Sequence, residues 1–221
     1  MSQKVIIIGG VGTGTIIAQA ILDANRRGDS SIELVGFMSH DKCEGDTIEG
    51  INVVVSQSKE NVLKYYSLGY KYIFALHRMD GGKFFIDMYD ELGLTFDMMA
   101  TFVHPLAYVA PNVIVRSGAV VMPYAMISAA TVIDHNALLM TGVTVGHNSH
   151  IGIFNHLASQ AVVGSYVKTS LGAHVGLNAT VREYLTIGAY STIGMGAVLT
   201  KSVGDKEVWV GNPAKFMRNT K

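Results

Sequence analysis

The sequence predicts a chain of two unlike parts, a small α/β unit followed by an all-β solenoid. Three observations carry this. Short apolar runs alternate with helix-like segments over the first hundred residues. A glycine-rich run at residues 9–14 (GGVGTG) separates the first strand from the first helix. From Val109 onward, an aliphatic residue recurs at every sixth position.

In the first part, residues 4–8 (KVIII) form an apolar run of strand length, and residues 16–26 carry apolar side chains at helical spacing. Residues 33–37 (ELVGF) and 71–76 (KYIFAL) repeat the strand signal, while 59–67 and 83–92 read as helices. Strands and helices that alternate in this way imply a small parallel sheet covered by helices.

The second part follows a different rule. Val109, Val115, Val121, Ile127, Ile133, Leu139, Val145, Ile151, Leu157 and Val163 fall six apart without a miss. The frame then slips by about two residues to Leu171 and Leu177, and slips again to run through Ile187, Ile193 and Leu199. Small residues such as Ala119, Ala125, Ala137, Ser149, Ala161 and Ala173 stand two places before the next aliphatic, so both classes point inward. A fixed short period is the mark of a β-solenoid in which each hexad is one flat side. An ordinary alternating sheet would need turn signals every 8 to 12 residues instead.

Composition narrows the function. With 221 residues, 49% of them hydrophobic, the chain can bury a core without staples. Its 17 basic and 17 acidic residues cancel, and no Lys/Arg cluster tracks a phosphate backbone, so nucleic acid is not the expected partner. No apolar run approaches the roughly 18 residues of a membrane span. Cys43 stands alone and no charged segment leads into an apolar one at the start, so a cytoplasmic location is expected. A small-molecule ligand fits best.

Six segments carry a resemblance: IIIGGVGTG, HPLAYVAPNVIV, MPYAMI, MTGVTVGHNSHIGIFNH, LGAHVGLNATV and VWVGNPAKFMR. Together they make the chain similar to the hexapeptide-repeat sugar acetyltransferases, typified by UDP-N-acetylbacillosamine N-acetyltransferase and the sialic acid O-acetyltransferase-like proteins. The resemblance implies a Rossmann-like nucleotide-sugar-binding domain at 1–101, a left-handed parallel β-helix acetyltransferase domain at 102–205 and a C-terminal tail at 206–221. The left hand is an exception to the usual right-handed crossover. It further implies acetyl-CoA as co-substrate, bound in a groove between neighbouring solenoids of a homotrimer, and a UDP-4-amino-sugar type of acceptor used in surface glycan synthesis.

The histidines of VTVGHNSHIGIFNH admit several readings. Zinc would need neutral imidazoles converging from fixed turn positions. His147, His150 and His156 are separated by three, six and nine residues, which does not suit that geometry, and no metal is expected. Histidines also tolerate half-exposed turns, a reading that stays open for His135, His150 and His174. In the family, the base is third in its hexad and a coenzyme-contacting histidine follows nine residues later. His147 and His156 match this, whereas nine residues after His135 stands Thr144. A sugar amine attacking a thioester sheds a proton, and histidine, with a reference pKa of about 6.5, is suited to take it. The developing oxyanion needs donors, of which His156 is one. The type enzyme follows its base with a carboxylate, but here Asn148 stands in that place. Asp134 or a carboxylate from a neighbouring subunit is the expected substitute. No acyl-enzyme is required, and Cys43 lies in the other half.

By the same resemblance, acetyl-CoA is expected at His156, Gly164, Ala179, Gly194 and Gly196, with Lys201 and Lys215 near its phosphates. Solvated lysines are the other reading of that pair. The glycine loop opens a helix, a setting for phosphate capture by backbone N–H groups. It lacks the full G-x-G-x-x-G, because the sixth position from Gly10 is Thr15. The resemblance assigns Gly12, Thr13 and Gly14 to the nucleotide sugar, a turn without ligand being the alternative. Ser39, His40, His77 and Arg78 stand where the family binds base and ribose, and Arg78 is also suited to a diphosphate. O-acetylation of a sialic acid-type sugar, a zinc hydratase and a catalytically silent binding protein remain as rival functions.

Overall fold

A computed structural model describes residues 2–29, 31–77, 79–80 and 82–220. Its N-terminal sheet has five strands: β1 (Gln3–Ile8), β2 (Ile32–Ser39), β3 (Thr47–Ile48), β4 (Ile51–Ser56) and β5 (Lys71–Phe74), in the order β3-β4-β2-β1-β5. Pairing is parallel except for the β3/β4 hairpin. The hairpin strand Ile51–Ser56 is not among the strands expected from the sequence, although its run of valines has strand character.

Alternation along β1 sends its side chains to two cores. Val5 and Ile7 pack with Ile17, Ala18 and Ile21 of helix α1 (Thr13–Arg26), and with Phe102, Val120 and Leu138 of the solenoid. Ile6 and Ile8 face the opposite side. There they meet Val62 of α2 (Lys59–Ser67), Tyr89 of α3 (Gly82–Glu91) and Phe154 of the solenoid. Each fully buried aliphatic contributes about 1.5–3 kcal/mol, so the solenoid supplies part of both cores of the α/β unit.

The solenoid is built of two-residue strands in three parallel sheets, with every coil 18 residues long. The first face stacks Phe102, Val120, Leu138, His156, His174 and Thr192 in register. The second carries Tyr108, Met126, Thr144, Val162 and Thr180, and the third Ile114, Val132, His150, Lys168 and Thr186. In each strand the second residue turns into the core. At the corners a residue with positive φ recurs every six positions, among them Asn136, Gly142, Asn148, Phe154 and Tyr166. Asn and Gly adopt that conformation most cheaply.

One expectation is corrected here. The hexad frame does not slip: after Val163 it continues through Thr169, Val175, Val181 and Ile187, all of them buried. Thr169 is the polar member that hides the continuity. Its hydroxyl is satisfied in the core, accepting from the Gly152 N–H at 2.9 Å and donating to the His150 carbonyl at 3.3 Å. Leu171 instead packs at the edge of the α/β core, and Leu177 is exposed.

At the far end, the hairpin of Glu207–Val210 and Lys215–Asn219 continues the first sheet, pairing Val208 with Thr192. Trp209 and Ala214 pack against the last coil's core.

Candidate active site

The first residue of each strand points away from the solenoid axis. On the first face that means towards the α/β unit, and the register of 18 therefore brings His156 and His174 to the junction, one above the other. Their Nδ1 atoms lie 3.1 Å apart. His77, just past β5, packs its ring against His156 with centroids 5.2 Å apart. Leu76, Phe85, Ile86 and Phe154 close a small apolar cavity around the three rings.

Burial governs their protonation. It pushes His77 down to about 4, with the nearby His174 adding to the effect. His174 is also pushed down to about 4 by burial, against the pull of Asp80. His156 falls well below the usual histidine range, through burial first and then through His77 and His174. All three are neutral imidazoles near neutral pH. The Nε2 atom of His156 is sealed from solvent and has no hydrogen-bond partner in the protein.

That nitrogen lies beside a second, larger cavity of about 240 Å³ between the two parts of the chain. Thr13 borders it from the first turn of α1, Met79 from the segment after β5, and Met140, Ser159, Leu177 and Met195 from the solenoid. Gly12, at φ 91°, precedes the helix and gives the turn a conformation that suits glycine, and the Gly12 carbonyl accepts from the Thr15 hydroxyl at 2.9 Å. Gly14 lies against Phe37 and is buried in the α1 packing. A helix N-terminus, a sealed imidazole nitrogen and a methionine-rich wall thus surround one volume.

The other expected residues are dispersed. His147 is exposed at the corner between the second and third faces, and does not border the cavity with His156. Its Nδ1 contacts Asn148 Oδ1 at 2.8 Å; an amide oxygen only accepts, so Nδ1 bears the proton and Nε2 is left as a free acceptor. Tyr166 meets the ring edge-on at 5.2 Å, and Tyr184 stacks on Tyr166. Asp134 does not support His147, contrary to expectation. It accepts from His150 Nε2 at 3.0 Å and pairs with Arg116 at 3.4 Å. Burial works to raise Asp134, but these partners outweigh it and hold the carboxyl low. His135 bonds Ser117 and stacks on Phe96.

The expected coenzyme contacts need correction at Ala179, which the supposed frame slip misplaces. It is fully buried in the solenoid core, and both its backbone groups are bonded within the solenoid. At Gly164 a Cβ would meet the Glu183 nitrogen at 2.6 Å, so stacking of adjacent coils alone explains the glycine. Gly194 is buried against Val210 and Gly196 is an exposed corner, with the cavity residue Met195 between them. Lys201 and Lys215 do come together, around a volume of about 240 Å³ beside Trp209. In the α/β unit, Ser39 is buried and donates to Asp41 at 2.6 Å, while His40 is exposed. His77 stands at the histidine cluster, and Arg78 lies outside the described residues. Sequence reasoning misses Ser159, Leu177 and Met195, whose shared spacing of 18 is the available signal. Among the described residues, no group of three His, Cys, Asp or Glu side chains is arranged to hold a metal.

No protein-family profile matches the chain. Over 94 residues it is 35% identical to UDP-3-O-acylglucosamine N-acyltransferase of Caulobacter sp. (strain K31), a match covering 40% of this chain and 26% of that protein. The chain thus spans only about a quarter of the length of that curated relative. Solved structures match far more of it. A mutant of perosamine N-acetyltransferase from Caulobacter crescentus, in complex with CoA and GDP-perosamine, superposes with a TM-score of 0.83 at 23% identity, covering 98% of this chain and 97% of the other. The acetyltransferase domain of PglB from Neisseria gonorrhoeae FA1090, in complex with acetyl coenzyme A, gives 0.82 at 24%, covering 98% and 100%. Over almost its whole length, this chain has the fold of the hexapeptide-repeat sugar N-acetyltransferases.

Proposed function

We propose that the chain is an acetyl-CoA-dependent N-acetyltransferase whose acceptor is the amino group of a nucleotide-linked amino sugar of the UDP-4-amino-sugar type. The observation that carries this reading is the cavity in which the N-terminus of α1, with Thr13, faces the sealed His156 Nε2. The relatives add support, since two of them are described in complex with CoA and GDP-perosamine or with acetyl coenzyme A. The α/β unit, residues 1–101, acts as a Rossmann-like domain holding the nucleotide at Gly12, Thr13 and Gly14. The solenoid, 102–205, acts as a left-handed β-helix carrying the coenzyme, with Lys201 and Lys215 at its phosphates and 206–221 closing the end.

The reaction is a direct transfer. The sugar nitrogen forms a bond to the thioester carbon, the carbon–sulfur bond breaks, CoA leaves as its thiolate, and the nitrogen's surplus proton passes to His147 Nε2. His156 Nε2–H bonds the carbonyl oxygen as charge develops on it, the kind of contact worth roughly a hundredfold or more in rate. His147 and His156 border no common cavity in one chain, so the reading requires a neighbour. His147 of a second copy completes the site, in a homotrimer. The second face favours such packing, because its outward residues Tyr108, Met126 and Val162 are exposed.

The test is a thiol-release assay with acetyl-CoA against UDP-, GDP- and dTDP-linked amino sugars. Release with one of them supports the reading, and release with none refutes it.

A further inference from the structure

The coil register places a second imidazole against His156. His156 and His174 are strand partners, and their Nδ1 atoms face each other at 3.1 Å. Two imidazole nitrogens hydrogen-bond at that distance only if one bears the proton and the other a lone pair; two protons or two lone pairs repel. Each neutral ring carries a single proton, so this contact also decides what the far nitrogen of His156 presents. If His174 donates, His156 Nε2 is an N–H. If His156 donates, Nε2 is a bare acceptor.

We propose that His174 is a positioning residue whose Nδ1–H donates to His156 Nδ1, holding His156 as the Nε2–H tautomer aimed into the cavity. The inference rests on the function proposed above, because its direction follows from the ligand. A thioester carbonyl and the oxyanion derived from it accept hydrogen bonds and cannot donate them. Two features of the site serve this role. His156 Nε2 has no partner within the protein and is left for a ligand. Burial among His77, Phe154, Ile86 and Leu76 keeps both rings neutral, so neither gains the second proton that would break the contact. A neutral imidazole held as a hydrogen-bond donor is an effective electrophile for a carbonyl.

Magnetic resonance on the full chain with isotope-labelled histidine reads each ring's tautomer, and steady-state kinetics reads the consequence. The expected result is His156 as Nε2–H and His174 as the less common Nδ1–H form. His174→Phe keeps the ring volume but removes the donor. It is expected to release His156 from its single tautomer and to lower kcat roughly tenfold to a hundredfold, with KM for acetyl-CoA held within about twofold. His174→Asn, which keeps an amide donor near the Nδ1 position, is expected to restore most of the kcat. Finding His156 as the Nδ1–H form, or equal kcat in the Phe and Asn variants, overturns the proposal. The tautomer reading needs no turnover. A chain that acetylates no amino sugar yet keeps the tautomer pair refutes the function alone, and an active chain whose His156 tautomer is unmoved by His174→Phe refutes the role of His174 alone.

Discussion

Phe154 and His156 leave the same solenoid corner in different directions, Phe154 into the aromatic core with Phe74 and Tyr89 and His156 into the histidine cluster with His77. The corner that builds the site also fastens the α/β unit to the solenoid. Loss of Phe154 is therefore expected to act on both. Phe154→Ala should destabilise the fold by about 3–5 kcal/mol and lower acetyl transfer at temperatures where the chain is still folded, as denaturant titration and kinetics on one preparation would establish.

Stability should fall in mild acid. Unfolded histidines take up protons near pH 6.5, whereas His77 and His174 do so only near about 4 when folded, and His156 is also held low. Between those limits the unfolded chain binds more protons. The stabilisation is thus complete above about pH 6.5 and is lost as pH falls towards about 4, by about 1.4 kcal/mol per pH unit for each histidine concerned. Urea midpoints measured from about pH 7 to about pH 5 would reveal the slope, and His77→Phe should flatten it.

Thr169→Val restores an aliphatic to the hexad and should nevertheless destabilise. The Gly152 N–H loses the hydroxyl that accepts from it and is left buried, at a cost of about 1–3 kcal/mol that exceeds the gain from one methyl group. Equal or greater stability of the valine variant in a thermal melt would contradict this account.

His147→Ala should abolish most acetyl transfer while leaving acetyl-CoA binding nearly intact. His156→Ala should do the same to transfer, and subunits of the two variants mixed after unfolding should regain activity at interfaces where each supplies the residue the other lacks. Silence in the mixture, with trimers formed, would count against a site shared between copies.

Asn148 sits in the left-handed backbone region at φ 59°, with its amide oxygen on His147 Nδ1. Asn148→Asp keeps both features and adds a charge, so the acidic limb of the kcat/KM profile should move up by about one pH unit. Asn148→Ala loses the contact and strains the corner, and should lower both kcat and stability.

Much of this molecule is legible in its amino-acid sequence. Helix α2 falls on residues 59–67 as expected, and aliphatic residues from Val109 to Val163 mark the solenoid. The period of six tells which residues point inward, and that suffices for the core. Which face an outward residue occupies depends on the period of 18, and a supposed slip at Thr169 breaks that longer count. His147 and His156 look like one motif because they are close in sequence. Nine residues amount to one and a half sides of a triangular coil, which sends one to an open corner and the other to a covered face. The cavity walls are hidden for the same reason, since Ser159, Leu177 and Met195 become neighbours only when whole coils are stacked.

The uniform coil length makes the solenoid behave like a combination dial. Removing 18 residues between His156 and the hairpin would shorten the stack by one coil and leave every later side chain facing its former direction. Removing six would keep the aliphatic frame and a folded core, yet turn everything downstream by one side. His174 would then leave the junction with the α/β unit, and a residue from another face would arrive in its place. A deletion that no stability measurement would single out would thus dismantle the paired imidazoles, because the fold counts in sixes and the site counts in eighteens.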